Sequence, residues 1–254
     1  MYLTELKSLI NISVKMFEDL KDKSILVVGA TRGIGKQLAL TLKGLGANLY
    51  LTGRSESSLS ALSAEVGGSV YMCDIDIDEH VQALAAQIDK LDGVCIVSGV
   101  VKIAPPKMLS KKFIDQQVIT NLASPLNVLG ALLKKNCLKE GASVVFTSAS
   151  GRICQPPCSA AYAGAKLGLI GAARSLAADL SPKKIRVNVV SFDYVQTDMI
   201  GFIESPVHND TVGISPVEYS SMPYLFTLSN MSRWITGQTI AADSGRMLTK
   251  VRYV

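Results

Sequence analysis

A short aliphatic run, Ser24-Ile25-Leu26-Val27-Val28, enters Gly29-Ala30-Thr31-Arg32-Gly33-Ile34-Gly35, and a helix-like stretch, Lys36-Gln37-Leu38-Ala39-Leu40-Thr41-Leu42, comes directly after. The β-branched and aliphatic run reads as a strand. Strand, glycine loop and helix in that order is the context a dinucleotide phosphate needs. Glycines let the backbone approach the pyrophosphate, and the helix N-terminus offers unpaired N–H groups and a positive dipole end. The spacing, Gly29-x3-Gly33-x-Gly35, departs from G-x-G-x-x-G. Glycines that merely turn the chain are the alternative. The candidate loop contacts are Gly29, Thr31, Arg32, Gly33, Ile34 and Gly35.

The same strand-then-helix grammar repeats along the chain. Strand-like segments at 24–29, 47–52, 69–73, 93–98, 142–148, 185–191 and 238–242 alternate with helical patterns at 34–45, 56–65, 78–90, 110–136, 160–180 and 216–229. Such alternation predicts an α/β fold: a Rossmann-type, doubly wound parallel sheet of about seven strands with helices on both faces. With 254 residues, 48% of them hydrophobic, the chain fills one well-cored domain over 16–254. Residues 1–15 read as an N-terminal extension, because 16–23 alone lead into the first strand.

The second strand ends in Gly53-Arg54-Ser55. In such folds an acid about 20 residues beyond the glycines grips a ribose 2′-hydroxyl, whereas a nearby Arg accommodates a 2′-phosphate. No acid stands here. Arg54, Arg32 from the loop and the Ser55 hydroxyl therefore favour NADP(H), with NAD(H) as the alternative cofactor. Two plain surface arginines are the competing reading. Asp74 follows the third strand on the ligand side, where its carboxylate would accept from an adenine amino group; it could equally cap the next helix.

Tyr162 and Lys166 are four residues apart, one helical turn on one face. A cation beside a phenol favours the phenolate, so the pair suits proton transfer; an exposed Tyr/Lys pair is the plain alternative. Upstream, Thr147-Ser148-Ala149-Ser150 ends an apolar run. Asn121 falls inside a helical stretch where an Asn normally faces water.

Charge and cysteines narrow the field. A net charge of +5, from 26 basic and 21 acidic residues without basic blocks, gives no support to nucleic-acid binding. Five cysteines without a C-x-x-C pair point to reduced thiols, and His80 and His208 are too far apart in sequence to make a metal site with Cys154 and Cys158. No run of 18 apolar residues predicts a membrane span, and the N-terminus lacks a signal-peptide pattern.

Taken together, the chain resembles the short-chain dehydrogenase/reductase family from about residue 17 to 249. The resemblance is carried by Gly29-x3-Gly33-Ile34-Gly35, Asp74-Ile75, Asn121, Ser148, Tyr162-x3-Lys166, Ile185-Arg186-Val187-Asn188 and Thr236-Gly237-Gln238-Thr239-Ile240, then Asp243. It implies a catalytic tetrad. Tyr162 would protonate the carbonyl oxygen as hydride arrives, and Lys166 would lower the phenol's pKa and hold the nicotinamide ribose. Ser148 would polarise the substrate oxygen, and Asn121 would anchor a water that relays protons. Ser148 lies three residues before Gly151, as the family's serine does, but 14 before Tyr162, one more than usual; Ser150, at 12, is the fallback.

The same resemblance adds Ile75, Ser98, Gly99, Val195 and Thr197 as cofactor contacts, together with Tyr162 and Lys166. Three departures stand out: Ile96-Val97-Ser98-Gly99 replaces N-N-A-G, Phe192-Asp193 replaces P-G, and Asp243-Ser244-Gly245 replaces D-G-G. The stretch from Met199 to Pro216 is shorter than the family's substrate lid. The implied activity is reduction of a small-molecule carbonyl, or oxidation of a secondary alcohol, similar to that of 3-oxoacyl-[acyl-carrier-protein] reductases. Lys139 and Lys183 stand where such reductases carry basic residues that face an acidic acyl carrier protein. Sugar, polyol and steroid substrates fit the tetrad as well. A catalytically silent dinucleotide-binding sensor or structural subunit is the reading from another class. The resemblance further implies a cytoplasmic homotetramer or homodimer built on the two long helices.

Overall fold

A computed structural model describes residues 16–149, 157–200 and 214–243; the 1–15 extension and Ser150 lie outside them. The central strand β1 (Ser24–Val28) shows why the sheet forms. Its four aliphatic residues are completely buried, Leu26 and Val28 in the core on one side and Ile25 and Val27 in the core on the other. A strand that buries both faces must be covered twice. Each fully buried aliphatic side chain contributes about 1.5–3 kcal/mol.

Seven parallel strands form one sheet in the order β3-β2-β1-β4-β5-β6-β7: β2 (Asn48–Gly53), β3 (Ser69–Met72), β4 (Leu91–Ile96), β5 (Leu138–Ala149), β6 (Arg186–Phe192) and β7 (Thr239–Ala242). One layer of helices is α1 (Gly33–Gly44), α2 (Glu56–Val66) and α7 (Met222–Leu228), with Leu38, Leu42, Leu59, Leu62 and Tyr224 in its core. The opposite layer is α3 (Asp78–Gln87), α5 (Ser124–Lys134) and α6 (Ala160–Leu180), with Leu84, Leu129, Leu132, Leu169 and Ala173. The doubly wound sheet expected from the alternation is present.

Two boundaries differ in ways that bear on the site. The strand expected at 93–98 runs from Leu91 to Ile96, so Ser98 and Gly99 belong to the loop beyond it. The helix expected at 110–136 is α4 (Lys111–Val118), a π-helical turn (Ile119–Ala123) and α5. Across that turn the Ser124 N–H bonds to the Ile119 carbonyl, five residues back, and the widened turn brings Asn121 inward, completely buried. A π-turn inside a helix usually marks a functional position.

The Arg-Val-Asn and Thr-Gly-Gln motifs do structural work. Asn188 Oδ1 accepts from the Gln238 N–H at 3.0 Å, and Thr236 Oγ1 accepts from the Val187 N–H at 3.1 Å, which stitches β7 to β6. The Arg186 guanidinium donates to the carbonyls of Thr227, Leu228 and Ser229, a cation placed on the carboxyl end of α7.

Candidate active site

The strand order reverses beside β1: the chain moves outward to β2 and β3, then returns to β4 on the other side. Loops leaving β1 and β4 therefore diverge and open a crevice at the carboxyl ends of the strands. The cavity there is lined by the loops after β1, β2, β3 and β4, with Thr120 and Thr197 to Met199 along its edge.

Glycine geometry makes the β1 loop a cradle. A Cβ on Gly35 would lie 2.0 Å from the Gly29 carbonyl oxygen, so α1 packs against the loop at a distance that only glycine permits. Gly29 and Gly33 have φ of +87° and +51°, which L side chains rarely adopt. A Cβ on Gly33 would also press on the Thr197 side chain at 3.2 Å. Arg32 precedes α1 without supplying a side-chain cap, so the first N–H groups of α1 face the cavity without that partner. The buried Ser98 hydroxyl, beside Gly29, also has no hydrogen-bond partner among the described residues. Unpaired donors around a concave glycine loop fit a dinucleotide diphosphate.

Most of the residues expected to hold a cofactor come together here. Gly29, Thr31, Arg32, Gly33, Ile34 and Gly35 line the cavity from the first loop, and Arg54, Asp74, Ile75, Ser98, Gly99 and Thr197 line it from the others. Five expected contacts stand elsewhere or already have partners, Tyr162 and Lys166 among them, since neither lines the cavity. Ser55 does not line the cavity; its Oγ is the N-cap of α2, accepting from the Ser58 N–H at 3.3 Å. Val195 is buried in the core, bridged to Ser215. Asp74 lines the cavity while its carboxylate accepts from the Asp76 N–H at 3.1 Å.

Sequence reasoning missed Gly53, Asp76 and Thr120, which also line the cavity. Gly53 had a signal: a Cβ there would lie 2.4 Å from Thr31 Cγ2, so a glycine must end β2. Asp76 and Thr120 had none. The Thr120 hydroxyl donates to Asp76 Oδ2 at 2.6 Å and Ser124 to Oδ1 at 2.7 Å, contacts between positions more than 40 residues apart.

The proposed catalytic residues stand on three elements, and none of them is among the residues that line the cavity. Tyr162 and Lys166 lie on α6 one turn apart, Tyr162 half-buried and Lys166 4% exposed. Ser148 is near the end of β5, and Asn121 is in the π-turn. Asn121 fixes the loop after β4: its Oδ1 accepts from the Val100 N–H and its Nδ2 donates to the Val100 carbonyl, both at 3.0 Å. A Cβ on Gly99 would meet Lys166 Nζ at 2.9 Å and Asn121 Oδ1 at 3.0 Å. The ammonium and the amide oxygen thus crowd the same side of one cavity-lining glycine.

Two details differ from what the resemblance implied. Lys166 Nζ donates to the Thr147 carbonyl at 3.0 Å, and Ser148 Oγ donates to the Lys166 carbonyl at 2.8 Å, so in this state both groups serve the β5–α6 contact. Burial, rather than a neighbouring charge, sets the acidities. It pushes the Tyr162 phenol up to about 12 and brings the Lys166 ammonium down to about 8. Desolvation favours the neutral form of each group, so the expected lowering of the phenol's pKa by Lys166 is not found here. Thr147 faces the other layer, where its hydroxyl and that of the fully buried Tyr224 share a 2.6 Å hydrogen bond.

The cations suggested for an acidic carrier are not near this site. Lys139 is the second residue of β5 and pairs with Asp92 at 2.7 Å, while Lys183 ends the short turn before β6. Both stand at the amino ends of parallel strands, opposite the cavity.

Comparison with known proteins agrees with this geometry. Residues 29–246 match the family model described as enoyl-(acyl carrier protein) reductase. The chain is 28% identical over 242 residues to a 3-oxoacyl-[acyl-carrier-protein] reductase FabG of Chlamydia muridarum, covering 89% of this chain and 98% of that one. A solved short-chain dehydrogenase/reductase family protein superposes with a TM-score of 0.82 at 23% identity, covering 89% and 97% of the two chains. BdcA, solved in complex with NADPH, gives 0.79 at 22%, covering 89% and 94%. With a parallel seven-stranded sheet, a glycine cradle at its switch point and a family match across most of its length, the chain belongs to the short-chain dehydrogenase/reductase family of oxidoreductases.

Proposed function

We propose that the protein is an NADP(H)-dependent carbonyl reductase whose site is Tyr162, Lys166, Ser148 and Asn121. The observation that carries this reading is the placement of Lys166 Nζ and Asn121 Oδ1 together against the Cα of cavity-lining Gly99, with Tyr162 one turn from Lys166 on α6. A bound nicotinamide supplies the hydride that adds to the carbonyl carbon. The chain's own part is the proton. The Tyr162 phenol, held neutral by burial, donates its proton to the carbonyl oxygen as that oxygen gains charge. Lys166 then stabilises the phenolate and returns a proton to it, drawing on the water that Asn121 anchors. Ser148, once its hydroxyl leaves the Lys166 carbonyl, polarises the substrate oxygen.

The cofactor preference rests on Arg32 and Arg54 lining the cavity with no acid at the end of β2, and the NADPH bound in BdcA supports it. The Chlamydia relative's name supports a 3-oxoacyl thioester as substrate and an acyl carrier protein as partner; a keto-sugar, polyol or steroid is the second choice. A cytoplasmic homotetramer or homodimer completes the proposal. The silent sensor keeps one observation in its favour, the Ser148 hydroxyl spent on a backbone carbonyl.

Purified protein given NADPH or NADH with a panel of ketones, including β-ketoacyl thioesters and keto-sugars, separates the two. The reductase oxidises NADPH with at least one carbonyl. Tyr162→Phe then loses about 100-fold or more in kcat and keeps NADPH binding. Tight NADPH binding by the wild type without turnover across the panel would leave the sensor.

A further inference from the structure

Among the residues that the resemblance does not account for, Gln117 is the most unusual. It is 1% exposed near the end of α4, four residues before Asn121 in the π-turn, and both α4 and the π-turn pack against α6. Burying a primary amide on a helix face that a leucine would fill carries a desolvation cost unless its polar atoms are used. One is used. The Gln117 carbonyl and its side-chain Oε1 both accept from Asn121 Nδ2, at 3.1 and 3.4 Å. That carbonyl lies just before the π-turn and accepts from the Asn121 side chain. The other atom, Gln117 Nε2, is buried without a hydrogen-bond partner among the described residues.

The surroundings say what such a donor serves. Both Val100 main-chain groups bond to the Asn121 amide, which fixes which end is oxygen and which is nitrogen. Its Oδ1 then lies against Gly99, where the Lys166 ammonium also comes, both within 3.0 Å of the position a Cβ would take on that glycine. Gln117 thus sits directly behind the group that the reading above places on the proton path, and the inference rests on that reading.

We propose that Gln117 is a positioning residue for this path. Its two oxygens lock the Asn121 amide, and its Nε2 donates to a buried water beside Asn121. A site that is polar, enclosed and supplied with several partners holds such a water.

The test uses the full chain as wild type, Gln117→Leu and Gln117→Glu. Steady-state kinetics are followed against pH with NADPH and a carbonyl that the wild type reduces, NADPH affinity by fluorescence, and the wild-type crystal structure at a resolution that shows waters. Leu keeps the volume and removes both polar atoms. We expect it to bind NADPH within about twofold of wild type while kcat falls about tenfold, less than for loss of the acid itself, with an altered pH profile. Glu keeps the acceptor for Asn121 and can bond the same water. It restores most of kcat and carries activity to higher pH, because a carboxylate near Lys166 favours its ammonium. Density for a water within hydrogen-bond reach of Nε2 is the matching structural result.

A Leu variant with wild-type kcat and pH profile, or wild-type density with no water at Nε2, overturns the proposal. Should Leu fail to fold, the Glu profile and the density decide. A wild type that binds NADPH and reduces nothing defeats the functional reading instead, and that outcome is visible before any variant is made.

Discussion

Lys166 offers a direct test of whether burial governs this site. Its side chain is 4% exposed, and its pKa falls from an ordinary 10.5 to about 8 because the folded chain removes water from the ammonium. Between those values the unfolded chain binds a proton that the folded chain does not. Stability must therefore rise with pH across the window and be lowest, for this group, below pH 8. The full difference corresponds to about 3 kcal/mol, at about 1.4 kcal/mol per pH unit. Lys166→Met removes the titrating group and keeps an unbranched apolar stem in the same space. Denaturant unfolding of both proteins at one fixed concentration, from pH 7 to 9.5, gives the stability difference at each pH. Buried Cys73 and Cys95, whose thiols are pushed up by desolvation, oppose the trend in both proteins and cancel in the difference. The variant should gain most over the wild type at pH 7, and that advantage should shrink by about 2 kcal/mol by pH 9.5. A difference that stays flat over this range would mean that Lys166 is solvated, and the account of its neutral-leaning state would be wrong.

Two further substitutions probe the cavity. Gly35→Ala places a carbon where 2.0 Å separates it from the Gly29 carbonyl oxygen; it should cost about 1–3 kcal/mol of stability by overpacking and weaken dinucleotide binding, read by thermal unfolding with and without NADPH. Arg54→Ala should raise the NADPH dissociation constant by roughly 10- to 100-fold, the value of a charge-assisted phosphate contact, and leave that of NADH nearly unchanged, measured by fluorescence titration of both cofactors.

Much of this was legible because it is local. The aliphatic run 24–28, the glycines after it and the helical pattern beyond encode a strand, a loop and a helix without reference to the rest of the chain. The same holds for the alternation that made the sheet parallel, and for Tyr162 and Lys166 on one helical face. The positions read less well depend on partners far along the chain. Asn121 was named by the resemblance alone, because its helical stretch would by itself turn an Asn to water; only the π-turn brings it to Val100. Ser55 was expected to donate to a phosphate; that its oxygen also caps α2 depends on where that helix begins. Lys139 and Lys183 matched an expected pattern yet stand at the wrong end of the strands.

The sequence by itself therefore determined the order of elements, the placement of the ligand crevice at the carboxyl ends of the strands, and the residue types gathered around it. Tertiary structure alone decided which groups are desolvated, which carbonyls hold Lys166 and Ser148, and how Gln117, Asn121 and Gly99 come to share one enclosed corner. The physical reason is that backbone propensity and hydrophobic period act over a few residues. Burial and hydrogen-bond partnership, by contrast, arise only when segments distant in sequence exclude water from one another.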